Sequence, residues 1–339
     1  MKKILLFNFY NGVLYRGIPI YSSNVKIGLE KEGCEVNEWK CPNALNKMPR
    51  FLLDLLFVFS EQILMPLICF FGRYDKVIYP YNSCSILSAI VGKSLLIIHD
   101  FIPNKKNKSK LSLSALYIVL TQRVHTLLKR DVAFVSRTTQ RIGKNVSWLK
   151  KCGVYLFPNS FYILERELAN LKCKFFQKDE YAVLISGNGT NKEFTKAMEL
   201  WKGCNICYSH HLKVIGLGGH QEWAQKILKS LNINNVSILP VLSDSALLCE
   251  IINASFVWAH SNHEGFGRPV IEGRMCGKNV LATNISAFRE HKDDNVFLYN
   301  QNSFCENLRL AHSFGCKPNY KIKYHLILEE QIKKWLMKN

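Results

Sequence analysis

Two carboxylates eight residues apart, Glu264 and Glu272, flank a glycine turn inside the stretch 256–290, FVWAHSNHEGFGRPVIEGRMCGKNVLATNISAFRE. The stretch parses as a buried strand, Phe256–His260, then the turn Glu264-Gly265-Phe266-Gly267, then a helix opening around Pro269 and stopping at Gly277. Proline in the first turn and glycine just past the end are ordinary helix punctuation. A strand, a glycine turn and a helix amino terminus together make an anion site, because backbone N–H groups and the helix dipole converge there. Gly265 and Gly267 allow a diphosphate or sugar to approach the backbone, and Glu272 is placed to hold ribose hydroxyls. The plainer reading makes Glu272 a helix-start charge and Glu264 a loop acid.

A second set of residue types invites metal chemistry. Cys204 and Cys207 form a CxxC with His210 and His211 nearby, but no second pair stands at zinc-site spacing, so reduced thiols are expected.

The elements that must carry these residues alternate between apolar β-type runs and helical patterns, which predicts an α/β fold. The first half offers strands at 4–9, 34–39, 76–79, 94–99, 132–135 and 154–157, and the second at 182–186, 212–216, 236–239, 256–260 and 279–282. Two α/β domains, 1–164 and 165–339, follow, with the linker at 161–180. The amphipathic segment 322–338 is expected to form a last helix able to cross back to the first domain.

The length of 339 residues suits two such cores. A net charge of +19 draws the chain to polyanions, with a cluster at Lys105–Lys110. No nucleic-acid-binding signature accompanies that charge, so phosphates and an anionic membrane surface are the expected partners and nucleic acid is not. Lys2 and Lys3 lead straight into a strand-like run, which reads as no secretory leader, so a cytoplasmic, reducing setting is expected. The apolar run Phe51–Phe71 is interrupted by Asp54, Ser60, Glu61, Gln62 and Pro66. That pattern predicts two shorter helices joined near Pro66, either in the core or resting on a membrane interface, rather than a span.

Glu264, Gly265, Phe266, Gly267, Pro269 and Glu272 resemble the Glu-x7-Glu motif of the group-one retaining glycosyltransferases, which have the GT-B architecture of two Rossmann-like domains with parallel sheets facing across a cleft. Cys276-Gly277, Val280, Ala282 and Asn284 continue the likeness, while Arg268 stands where that family usually has an apolar residue. Gly17-Ile18 is similar to the family's acceptor-side glycine loop, His99-Asp100-Phe101-Ile102-Pro103 to its HD segment, and Ser136 and Pro158-Asn159 to later landmarks. Gly187–Lys192 resembles the loop that supplies basic residues to the donor diphosphate, although it lacks the usual second base, a gap that Lys196 is near enough in sequence to fill.

The resemblance implies a catalytic Glu264 at the donor sugar and a catalytic His99 from the other domain. It implies donor binding by Gly187, Lys192, Gly265, Phe266, Gly267 and Glu272, with Gly17 and Asp100 on the acceptor side. It further implies a hexose-type sugar moved with retention from a nucleotide-sugar donor to a saccharide or polyprenyl-linked saccharide, in polysaccharide or lipopolysaccharide synthesis, with no cofactor and no metal. A nucleotide-sugar epimerase, an inactive sugar-nucleotide binder and a basic nucleic-acid-binding protein are the competing readings.

Overall fold

The computed structural model describes residues 1–13, 17–45, 48–101, 113–149, 152–171, 181–204, 210–315 and 323–338. Cys207, Ile102, Pro103 and the Lys105–Lys110 cluster lie outside them. The chain folds as two compact units, Met1–Tyr162 with Lys323–Asn339, and Ile163–Ile322.

In the first unit, β1 (Lys3–Phe7), β2 (Glu35–Trp39), β3 (Lys76–Tyr79), β4 (Ser94–Ile98), β5 (Asp131–Phe134) and β6 (Val154–Leu156) form one parallel sheet in the order β2-β1-β3-β4-β5-β6. Every residue of β4, SLLII, is buried, as expected of a strand covered by helices on both faces. The helix Tyr324–Lys338 belongs to this unit; the sequence reading counts it with the second domain while making it able to cross back to the first. It buries Leu328, Ile332 and Trp335, Trp335 Nε1 donates to Asp131 at 3.2 Å, and Gln331 accepts from the Leu156 amide at 3.2 Å. A Cβ on Gly28, in the helix Ile18–Lys31, would stand 3.1 Å from Leu328, so the two helices meet over a glycine.

The run 50–71 is one continuous helix rather than two joined at Pro66. Proline lacks an N–H and crowds the carbonyl four residues earlier. The backbone absorbs this by widening one turn, Ser60–Leu64, where the Met65 amide reaches back five residues to the Ser60 carbonyl. The wide turn carries Glu61, which is fully buried and accepts from Ser83 at 2.8 Å and from the Tyr117 hydroxyl.

The second unit holds β7 (Tyr181–Ile185), β8 (His211–Ile215), β9 (Val236–Ile238), β10 (Val257–Ala259), β11 (Val280–Thr283) and β12 (Val296–Tyr299), parallel in the order β12-β11-β10-β7-β8-β9. The strand β12 is absent from the sequence reading. It is four residues long at the sheet edge, and the polar runs on both sides, Asp293-Asp294-Asn295 and Asn300-Gln301-Asn302-Ser303, make it read as part of a loop. Strand order runs outward in both directions from the β7/β10 pair, so the loops leaving these two neighbours open a crevice at their carboxyl ends.

Candidate functional site

The residues singled out in the second unit gather at that crevice. After β7, the chain passes through Gly187 into a short helical turn, Thr190–Lys192, and Glu193 then takes a left-handed conformation at φ 41° before the helix Phe194–Lys202. After β10 comes the glycine turn. The two loops are laced together: Ser261 Oγ donates to the Asn191 carbonyl at 2.8 Å, the Asn262 amide donates to the same carbonyl at 2.8 Å, and Asn191 Nδ2 donates to the His263 carbonyl at 2.9 Å. The Ser261 amide donates to Thr283 Oγ1 at 2.9 Å, which ties β11 into the same corner.

This lacing sets Lys192 Nζ 2.5 Å from Glu264 Oε1, with both side chains mostly shielded. The lysine expected at the diphosphate and the acid expected at the sugar are therefore in contact. Gly267 adopts φ 93° and a Cβ there would lie 2.6 Å from the Phe288 ring, so both conformation and space demand glycine. The helix Arg268–Met275 follows, with Pro269 in its first turn and Gly277 left-handed beyond its end, as the sequence predicts.

Glu272 is 1% exposed on that helix, and Arg268 one turn earlier holds its Oε1 at 3.2 and 3.3 Å. The residue that breaks the family pattern is thus the partner of the second motif acid. The glycine turn is bracketed by two acid–base pairs, Lys192–Glu264 and Arg268–Glu272. The base of each pair suits phosphate and the acid suits hydroxyl groups.

Phe266 is held inside the unit. Its ring is buried against His291, with centroids 4.6 Å apart, and its carbonyl accepts from His291 Nε2 at 2.6 Å. The ring fixes the turn from beneath. Lys196, near enough in sequence to supply the missing second base, is half exposed and stands 3.9 Å from Glu193.

A relay that the sequence reading misses underlies the crevice. Trp258 Nε1 donates to the Tyr299 hydroxyl at 2.9 Å, and that hydroxyl bonds His260 Nδ1. The same hydroxyl is hydrogen-bonded to Thr283. Burial pushes the imidazole pKa down to about 4, so the ring is neutral. Its Nε2 is buried, has no hydrogen-bond partner among the described residues, and lies 4.0 Å from the Glu193 carboxylate. No sequence signal announces this, because Tyr299 comes from the unread strand β12.

In the first unit, Gly17 opens the helix Ile18–Lys31 at φ 84°, a conformation suited to glycine although space for a Cβ exists. His99 and Asp100 follow β4. The His99 amide donates to Asn82 Oδ1 at 2.6 Å, and the Tyr81 hydroxyl donates to Asn8 Oδ1 at 3.1 Å, tying together the loops after β1, β3 and β4. Burial pushes the His99 pKa down to about 4 against a hydrogen bond to the Pro80 carbonyl. Nε2 is the atom without a partner among the described residues, so Nδ1–H serves Pro80 and Nε2 presents a lone pair. His99 is thus a neutral acceptor suited to a hydroxyl group.

Among the described residues no three His, Cys, Asp or Glu side chains converge as metal ligands. Cys204 is buried in the core of the second unit, and Asp293 pairs with Arg274 at 2.9 Å.

Comparison with known proteins follows the same lines. Residues 172–307 match the family model described as glycosyl transferases group 1. A search of curated proteins finds no match. Among solved structures, the sucrose-phosphate synthase from Thermosynechococcus elongatus is similar at a TM-score of 0.67 and 16% identity, over 98% of this chain and 94% of that one. WaaG, described as a glycosyltransferase involved in lipopolysaccharide biosynthesis, is similar at 0.63 and 11% identity, over 100% and 96%. The UDP-GlcNAc 2-epimerase from Methanocaldococcus jannaschii, solved with UDP-GlcNAc and UDP, is similar at 0.61 and 12% identity, over 100% of both chains. The fold is GT-B like that of these neighbours, and the match to the group 1 glycosyl transferase model lies wholly within the second unit.

Proposed function

We propose that the chain is a retaining, metal-independent glycosyltransferase. It moves a hexose-type sugar from a nucleoside diphosphate donor to a saccharide or polyprenyl-linked saccharide in cytoplasmic synthesis of a cell-surface polysaccharide or lipopolysaccharide. The observation that carries this reading is the pair of acid–base contacts bracketing the glycine turn at the β7/β10 switch point.

Breaking the bond from the anomeric carbon to the phosphate oxygen leaves negative charge on the departing diphosphate and positive character on the sugar. In this reading Lys192 turns from Glu264 to the phosphates, helped by the amino terminus of the helix Arg268–Met275. Glu264, released from the lysine, takes the donor sugar, and Glu272 takes the ribose hydroxyls with Arg268 steadying it. The hydrogen bonds of Asn191 with Ser261, Asn262 and His263 hold the two loops together. His99 accepts from a hydroxyl of the reacting sugars through Nε2, and Gly17 and Asp100 stand on the acceptor side.

Supporting a reducing compartment, Cys34, Cys41, Cys69, Cys84 and Cys204 are all free, buried thiols. A thermal-shift screen of UDP, GDP and their sugar conjugates names the donor base, since a ligand bound only to the native state raises its melting temperature. Product analysis with EDTA present then tests transfer. An inverted product, a strict need for a divalent ion, or epimerised donor without acceptor would each overturn part of this reading. Replacing His99 by alanine should lower turnover about 10- to 100-fold without changing the melting temperature.

A further inference from the structure

Three helices of the first unit, Arg50–Phe71, Ile86–Ile90 and Leu113–Leu127, pack against one another and leave one broad apolar face uncovered. Along the first of them the inward residues are Leu53, Phe57, Glu61, Met65 and Cys69, and four of these join the core of the sheet. The outward residues Phe51, Leu55, Phe59, Ile63, Leu67 and Phe70 repeat about every fourth position and are exposed. Leu87, Ile90 and Val91 from the second helix extend this stripe, as do Leu116, Leu120 and Leu127 from the third. Phe70 and Phe71 are 74% and 76% exposed and stack edge to face on each other, the only neighbours of their kind within ring contact among the described residues. An apolar face of this extent marks a binding surface.

The helix 50–71 is long and apolar enough to cross a membrane, and only 28% of its most apolar window is buried. Crossing would nonetheless tear Leu53, Phe57, Met65 and Cys69 out of the core and expose the Glu61 carboxylate that Ser83 and Tyr117 hold. The inner face of the helix therefore stays in the fold, and only its outer stripe is free to meet a partner.

Charge selects the kind of surface. The acids on these three helices are Asp54, paired with Arg50 at 3.1 Å, and the buried Glu61. The exposed Arg73, Arg123 and Lys129 stand at or beside their ends, and Arg130 is fixed by the Ala89 and Ile90 carbonyls. Apolar side chains with a basic margin match the acyl boundary and the phosphates of an anionic bilayer. A second copy docking by the same face would bring like charges together.

We propose that this three-helix face is a membrane-contact surface that seats the first unit on anionic phospholipid. The inference stands apart from sugar transfer, since it uses no residue of the donor site.

The test is co-sedimentation of the intact chain with vesicles of phosphatidylcholine alone or mixed with phosphatidylglycerol, alongside light scattering in solution. The variants are Phe70→Ser/Phe71→Ser and Leu116→Ser/Leu120→Ser, each first shown to melt like the parent and to keep its nucleotide-induced thermal shift. Expected are a monomer in solution, binding to the anionic vesicles that weakens with salt, and a loss of about tenfold or more in partitioning for each variant. The proposal is overturned if the parent stays in the supernatant with both vesicles, or if the variants bind as the parent does. It is equally overturned if the parent is a dimer that the serine variants dissociate, which would make a second copy the occupant.

Discussion

At the scale of single residues the site is a set of paired charges rather than a row of waiting ones. Glu264 is neutralised by Lys192 and Glu272 by Arg268. The proposed function gives the two acids separate duties, so their substitutions should part company. Glu272→Ala should weaken nucleotide affinity about 10- to 100-fold, the worth of a charge-assisted bond, read by calorimetric titration. Glu264→Gln should leave that affinity nearly unchanged and lower turnover about 100- to 1,000-fold, read by product formation. Equal losses of affinity in both would contradict the division. The acids and glycines were legible because the Glu-x7-Glu spacing is local. Arg268 was visible only as a departure, although its i,i+4 spacing to Glu272 held the answer. The contacts of Asn191 with Ser261 and His263 were not legible, since they depend on β7 lying beside β10.

At the scale of elements, two turns govern what the helices present. Gly267→Ala would force a left-handed alanine into the Phe288 ring. The expected cost is on the order of 2–4 kcal/mol, seen as a lower melting temperature together with a smaller nucleotide-induced shift. The wide turn at Ser60–Leu64 makes the other prediction. Burial raises the Glu61 pKa from 4.5 to about 7, while hydrogen bonds from Tyr117, Ser83 and Gln62 restrain the rise. The native state thus holds this proton more tightly than the unfolded chain does. Its contribution to stability is full below pH 4.5 and is lost as pH climbs toward 7. Glu61→Gln should remove that slope, so variant and parent converge in acid and diverge by on the order of 3 kcal/mol above neutrality. Melting curves at several pH values would show it, and parallel curves would refute it. Most strands were readable because buried parallel strands are continuous apolar runs. The wide turn was not, since a proline after polar residues reads as a break.

At the scale of the whole molecule, the chain returns at its end to complete the unit with which it began. The sequence marked the last helix as amphipathic but could not say which core it would close, because an apolar stripe carries no address. Trp335 is buried against Phe157 and hydrogen-bonded to Asp131. Trp335→Ala should therefore cost about 3–5 kcal/mol and lower the melting temperature by roughly 10 °C. A nucleotide should still shift the transition of the unit that holds the glycine turn. Loss of that shift would contradict the placement of donor binding wholly within residues of the second unit.

The hydroxyl of Tyr299 has a reach out of proportion to its size. Bonded to Trp258 on one side and to Nδ1 of His260 on the other, it fixes one edge of the imidazole. Tyr299→Phe, a change of one oxygen atom on the outermost strand, would release that edge and shift the balance of the two tautomers, visible in the imidazole nitrogen resonances. An edge strand hidden between polar runs thus steers where a buried proton sits.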